Sequence, residues 1–177
     1  MQLGLGKNEV KIVPYETEWK NEFARVKKEI LLYTNSNENQ IEHIGSTAIT
    51  EMPAKPIIDI LMGVEDLKLV DTEIIKGLKE SGFLRLRVER PNEVVFAKFT
   101  DDTYEVKTHF IHLVKYNGEL WNNLIFFRDY LNEHEDVRKE YLNIKLDYIK
   151  KKSNGINEYT DFKEKFVKDI FAKRIGE

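Results

Sequence analysis

The feature that most constrains the fold is a short apolar run, Pro56 to Gly63, interrupted by one charge, Asp59. A strand that is apolar at nearly every position is typical of the interior of a sheet covered on both faces. The run therefore predicts a sheet with further layers on both sides. A carboxylate on such a strand needs a cation, a metal ion or a hydrogen-bond donor nearby, because desolvating it alone costs several kcal/mol.

Periodic patterns on either side of this run predict an α+β, or mixed α/β, fold. Trp19, Phe23, Val26 and Ile30 recur at helical spacing and predict a helix. Short runs bounded by turn-forming residues predict strands at 10–13 and 40–44. Three further runs, at 83–89, 94–99 and 104–114, predict an antiparallel meander. Further helices are predicted at 67–78, 120–131, 135–151 and 160–174. The layers expected are a mixed sheet, flanking helices and a helical C-terminal part.

Length and composition predict one domain, 1–177, with the sheet core at about 10–116 and a helical subregion at 117–177. The 177 residues include no cysteine and carry a formal net charge of −3. A disulfide framework, a thiolate zinc site and a cysteine nucleophile are therefore excluded, and the charge balance argues against a dedicated nucleic-acid binder. No apolar stretch is long enough for a membrane helix or a signal peptide, so we expect a cytoplasmic protein.

The segment that carries chemistry combines a small turn with the carboxylate of the apolar run. Gly45, Ser46 and Thr47 follow the strand at 40–44, and Asp59 lies on the next strand. A Gly-Ser turn lets backbone N–H groups and a hydroxyl approach phosphate oxygens, and a carboxylate beside it could hold Mg²⁺ or Mn²⁺. The combination resembles the nucleotidyltransferase superfamily, in which a second carboxylate normally follows two residues later. Leu61 stands at that position.

Other candidate ligands for a metal ion come from two places in the chain. Glu105, His109 and His112 belong to the last predicted strand, and His43 precedes the Gly-Ser turn. Side chains three apart on a strand point to opposite faces, so only one of His109 and His112 is expected to face a cleft, unless a bulge intervenes. His43 could instead be an ordinary polar residue near a turn.

Basic residues supply candidate phosphate ligands. Arg128 is on a predicted helix and has the planar fork that suits phosphate oxygens, while Lys145 and Lys163 offer point charges from the helical part. Lys55 is either a further phosphate ligand or the structural partner of Asp59. The alternative for the helical residues is an ordinary ion pair with an exposed carboxylate.

Beyond the superfamily, the chain resembles the GrpB family over about residues 10–172. The resemblance is carried by five segments: His43-Ile44-Gly45-Ser46-Thr47-Ala48, Ala54-Lys55-Pro56-Ile57-Ile58-Asp59-Ile60, His109-Phe110-Ile111-His112, Phe127-Arg128-Asp129-Tyr130-Leu131 and Tyr141-Leu142-Asn143-Ile144-Lys145. It implies a nucleotidyltransferase-like fold with a helical C-terminal part, in a family whose biochemical activity is poorly defined.

Two hypotheses on function follow. In the first, the Gly45-Ser46 turn holds a triphosphate, Asp59 holds Mg²⁺ or Mn²⁺, and Arg128 with Lys145 or Lys163 closes over the nucleotide, which is transferred to an unknown acceptor. In the second, a binding module has kept the fold and the anion cradle and has lost catalysis together with the second carboxylate. A metal-dependent hydrolase using His43, Asp59 and one strand histidine is a third, weaker hypothesis.

Overall fold

The computed structural model describes residues 1–6, 9, 11–70, 72–88, 90–150 and 156–176, without the side chains of 69, 148–150 and 156–162. The elements follow one another as α1 (Glu18–Tyr33), β1 (Ile41–Ile44), β2 (Ile58–Val64), α2 (Thr72–Glu80), β3 (Phe83–Arg85), β4 (Val94–Phe99), β5 (Lys107–Lys115), α3 (Glu119–Glu133), α4 (Glu135–Lys150) and α5 (Ile156–Gly176). Within the described part of the chain, no helix is both long and apolar enough to cross a lipid bilayer.

The five strands form one mixed sheet in the order β1-β2-β5-β4-β3. The β2–β5 pair is parallel, and the other three pairs are antiparallel. The apolar run around Asp59 is β2, an interior strand, and the last three strands form the expected antiparallel meander. Both predictions are confirmed, and so is the mixed α/β fold class.

Helices cover the two faces of the sheet. Trp19, Val26 and Ile30 of α1 pack with alternate residues of β2 and β5 in the largest apolar cluster, to which α2 also contributes. On the other face Ile44 and Leu61 pack against Trp121 of α3. A third cluster joins α3, α4 and α5, so the three C-terminal helices lie over the face of the sheet that also carries Asp59.

Two predicted elements, the strand at 10–13 and the helix at 67–78, differ from the structure. Val10 lies outside the described residues, and the rest of the predicted strand at 10–13 contributes a single bridge from Val13 to Ala54. The predicted helix at 67–78 begins as one 3-10 turn, Leu67–Leu69, in which Asp66 accepts a hydrogen bond from the backbone N–H of Lys68. The α-helix itself starts later, at Thr72.

Candidate functional site

Asp59 is the second residue of β2 and faces the C-terminal helices. Its neighbours across the sheet are Ile44 of β1 and Phe110 of β5. Its side chain is 31% exposed. The carboxylate therefore opens toward solvent and does not belong to a closed interior.

The turn after β1 packs directly on this carboxylate. Gly45 has a φ of +70°, a conformation that favours glycine, and a Cβ at this position would clash with Oδ2 of Asp59 and lie 3.0 Å from its Cβ. Ser46 then begins a single 3-10 turn, Ser46–Ala48. The sequence predicts that Gly45 lets a phosphate approach closely. In the structure, glycine is needed here first of all because the side chain of Asp59 lies so close.

Asp59 is paired with His112 of β5. Nε2 of His112 lies 3.3 Å from Oδ1 of Asp59, and Nδ1 makes a short hydrogen bond with the Glu93 carboxylate just before β4. Burial alone would lower the pKa of His112, but the hydrogen bonds and charges of the two carboxylates outweigh it and raise the pKa to about 9. At neutral pH a protonated imidazole therefore sits between Asp59 and Glu93.

Sequence reasoning did not identify Glu93. The residue follows the predicted Pro91-Asn92 turn and precedes a strand, which by itself suggests only a turn. In the structure Val95 pairs with His112, so Glu93, two residues earlier, lies on the same face of the meander. The signal was the alternation Glu93, Val95, Ala97, but it becomes useful only once the register with β5 is known.

Three lysines lie around the same opening. Lys55 precedes β2, Lys145 is on α4 and Lys163 is on α5, and all three line one cavity with Asp59. Burial and the charge of Lys163 lower the pKa of Lys55, and Asp59 opposes that shift. Burial and the charges of Lys163 and Lys55 lower the pKa of Lys145 to about 7, again against the attraction of Asp59. The three ammonium groups therefore act on one another, and the ion-pair partner of Asp59 is His112, not Lys55.

The cavity has a volume of about 800 Å³, within the range of small-molecule sites. Cationic side chains outnumber the carboxylates on its wall. The cationic residues are Arg90, Lys55, Lys107, Lys145, Lys163 and His112, and the acidic ones are Glu9, Asp59 and Glu93. Much of the remaining wall is apolar and comes from both the sheet and the helices, with Phe110, Leu120, Leu124, Phe127, Tyr141 and Phe171 among its residues.

The other predicted histidines face the opposite side of the sheet. His43 stacks on Phe23 of α1 with ring centroids 4.8 Å apart, and its Nε2 lies 2.9 Å from Oγ1 of Thr47. His109 has Nε2 3.1 Å from Oε1 of Glu22. Burial lowers the pKa of each imidazole to about 4. As strand geometry predicts, His109 and His112 point to opposite faces.

Two further predicted residues are not brought to the cavity. Glu105 is exposed before β5 and is not among the cavity-lining residues. Arg128 is also absent from the wall: its Nη1 is 2.6 Å from Glu42 Oε2 and its Nε is 2.7 Å from Asp129 Oδ1. Gly45, Ser46, Thr47, Lys55, Lys145 and Lys163 do line the cavity.

The side chains that the structure brings together do not fit a two-metal centre. Leu61, at the position of the second carboxylate, is completely buried in the apolar cluster under α3. The predicted ligands His43, Glu105 and His109 lie elsewhere, and the imidazole of His112 fills the space between the two carboxylates. Among the described residues no group of three histidine, aspartate or glutamate side chains is arranged to hold a metal ion.

Comparison with known proteins gives a family and a fold. A model of the GrpB protein family matches residues 9–173. Glutamate-rich protein GrpB of Alkalihalophilus pseudofirmus is 43% identical over 169 residues, covering 95% of this chain and 97% of that protein. The crystal structure of the conserved protein GrpB from Enterococcus faecalis matches with a TM-score of 0.76 at 23% identity, over 93% of this chain and 99% of that one.

A more distant likeness concerns the fold alone. The Cid1 poly(U) polymerase, crystallised with Mg and 3'-dATP, matches with a TM-score of 0.50 at 17% identity, over 76% of this chain and 42% of that one. The mixed sheet of this protein is therefore of the nucleotidyltransferase-like type, as the Gly-Ser turn and Asp59 predict.

Proposed function

The chain belongs to the GrpB family, and from that premise we propose that its cavity binds a phosphorylated small molecule, with nucleotides as the first class to test. The observation that carries this proposal is the crowding of Lys55, Lys145 and Lys163 around one opening, where their charges lower the pKa of two of them. An anion bound at this opening relieves the repulsion between the lysines.

The lysines take the role that divalent cations have in a metal-dependent site. Phosphate oxygens need positive charge close by, and ammonium groups provide it as point charges. Since Asp59 is already neutralised by His112, ligand binding by the lysines does not require a metal ion. We therefore expect phosphate recognition without Mg²⁺.

The rest of the cavity suits the non-phosphate part of such a ligand. Ser46 offers a hydroxyl at the turn, and Asp59, held by His112, offers an acceptor for a sugar hydroxyl. Phe110 and Phe127 belong to the apolar wall, against which a base could pack. The mixture of an apolar wall and a few polar groups is typical of a specific ligand site.

A thermal-shift screen of nucleotides, with and without Mg²⁺ or Mn²⁺, tests the proposal. A ligand that binds only the folded state raises Tm by mass action. We expect at least one nucleotide to raise Tm in the presence of EDTA, and Lys145→Gln or Lys163→Gln to reduce that shift. Lys139→Gln is the matched control, because Lys139 is on α4 but 70% exposed and paired with Glu135. No shift with any phosphorylated compound would contradict the proposal.

Metal-dependent nucleotidyl transfer is a second candidate, favoured by the position of Asp59 beside the Gly45-Ser46 turn in this fold. In that case Asp59 would bind Mg²⁺ or Mn²⁺ after separating from His112. Calorimetry distinguishes the two candidate functions. If the protein catalyses metal-dependent nucleotidyl transfer, Asp59→Asn abolishes a Mg²⁺-dependent component of nucleotide binding. Under the first proposal the wild-type protein shows no such component.

A further inference from the structure

Lys145 is a buried amine in a cavity wall. Its residue exposure is 4%, its Nζ donates a hydrogen bond to the carbonyl oxygen of Pro53 at 3.0 Å, and it lies 4.8 Å from the ring centroid of Tyr141. Among the described residues no carboxylate forms an ion pair with it. Lys98, in contrast, is paired with Glu29.

Two neighbouring lysines favour the neutral form of Lys145, whereas Asp59 and the Tyr141 ring favour the charged form. Burial and the nearby charges of Lys163 and Lys55 lower its pKa to about 7, so a large fraction of the amine is unprotonated at neutral pH. Lysine becomes a nucleophile when it is desolvated or lies beside other cations. The same two lysines can hold a phosphate group next to the amine.

We propose that Lys145 is a nucleophile that forms an imine with the carbonyl group of a phosphorylated aldehyde or ketone bound in the cavity. This adds a covalent activity to the proposed function and rests on it, because Lys55 and Lys163 must first hold the phosphate group. Lysine is the residue that this role demands, since the guanidinium of arginine stays protonated and does not attack carbonyl carbons.

The reaction is an ordinary condensation. The nitrogen lone pair attacks the carbonyl carbon, a C–N bond forms, and the C=O π electrons move to oxygen. The carbinolamine then loses that oxygen as water, which takes both hydrogens of the neutral amine, and C=N remains. No oxidant, reductant or metal ion is needed, and hydrolysis reverses the step.

Pyridoxal 5'-phosphate is a suitable probe, because it carries a phosphate group and an aldehyde. The protein is incubated with it at neutral pH and reduced with sodium borohydride, and the labelled peptides are mapped by mass spectrometry. We expect one dominant phosphopyridoxyl label, at Lys145, which inorganic phosphate suppresses by competition. The rate of labelling should rise with pH to half its maximum near pH 7.

Matched variants show whether the label depends on this amine. Lys145→Arg keeps a long basic side chain and should lose the dominant label, with Lys145→Gln as a second variant if arginine disturbs packing. Lys139→Gln should be labelled like the wild type. Labelling spread over exposed lysines with Lys145 spared would overturn the inference, and this outcome is read on the wild-type protein alone.

Pyridoxine 5'-phosphate separates this inference from the proposed function. It has the phosphate group and lacks the aldehyde. If it raises Tm while pyridoxal 5'-phosphate leaves no label at Lys145, the cavity binds phosphorylated ligands and the imine is excluded. If neither compound raises Tm and no label forms, the imine is excluded, and the proposed function fails as well only if the nucleotide screen also shows no shift.

Discussion

At the scale of single residues, the contact of Gly45 with Asp59 decides the shape of the site. Gly45 combines a positive φ with the close approach of a carboxylate. Any other residue at this position would therefore have both a strained backbone and a steric clash with Asp59. The carboxylate in turn keeps its orientation because His112 holds its second oxygen. The turn, the acid and the imidazole therefore form one unit, although they come from three elements.

Replacing Gly45 by alanine tests that unit. The new Cβ clashes with Oδ2 of Asp59, and we expect a loss of about 1–3 kcal/mol in the free energy of unfolding. Urea denaturation measures the change. Gly176→Ala is the control, because a Cβ there meets nothing within 4 Å. Equal stability of the two variants would contradict the contact.

The raised pKa of His112 makes stability depend on pH in a definite direction. The pKa rises from an ordinary 6.5 to about 9 in the folded protein. Such a contribution, on the order of 3 kcal/mol, is fully present below pH 6.5 and is lost as pH rises through 9. Lys145 acts in the opposite direction over a similar range, because burial and neighbouring lysines lower its pKa.

Comparison with a variant isolates the part that belongs to His112. We expect the difference in Tm between the wild type and His112→Gln to shrink as pH rises from 6.5 to beyond 9. Glu93→Gln should reduce the same difference, because it removes one of the two carboxylates that hold the imidazole. A Tm difference that stays constant with pH would show that the imidazole is not charged in the folded protein.

At the scale of elements, β5 shows why the two histidines of one motif have different surroundings. Alternation along the strand sends His109 toward α1 and His112 toward the cavity. The irregularity of this strand lies between the pairs Lys98–His109 and Phe99–Lys107, before the histidines, so it does not bring them to one face. The helical and strand periods predicted most of these elements. At 11–13 the structure has only a single bridge instead of the predicted strand, and the predicted start of α2 was too early by one 3-10 turn.

The packing of α3, α4 and α5 supports one wall of the cavity. Leu131 of α3 is completely buried in their shared cluster, whereas Leu32 of α1 is 77% exposed. We expect Leu131→Ala to lower the free energy of unfolding by about 2–5 kcal/mol and to weaken ligand binding. Leu32→Ala should change stability by less than about 0.5 kcal/mol. Urea unfolding of both variants checks the contrast.

At the scale of the whole molecule, the charge of the cavity opposes that of the chain. The formal net charge is −3, yet more cationic than acidic side chains line the cavity. Local charge, not net charge, therefore decides what this protein attracts. The acidic remainder of the surface also disfavours polyanions such as nucleic acid, which would extend beyond the cavity.

This distribution predicts that the proposed binding of phosphorylated ligands depends on salt. The increase in Tm caused by a phosphorylated ligand should fall as sodium chloride is raised from low to physiological concentration and beyond, because salt screens exposed charges such as that of Lys163. A series of thermal shifts at fixed ligand concentration measures it. A shift that does not change with salt would indicate binding through the apolar wall.

The sequence by itself determined most of the elements, the mixed fold, the family resemblance and the pairing of a Gly-Ser turn with Asp59. These follow from local periods and from motifs within a short stretch of chain. Only the tertiary structure decided which groups meet: Glu93 with His112, Lys55 with Lys145 and Lys163, and Arg128 with Glu42 instead of the cavity. The physical reason is that strand register and the packing of helices on a sheet depend on contacts between residues distant in sequence, and no local pattern encodes them.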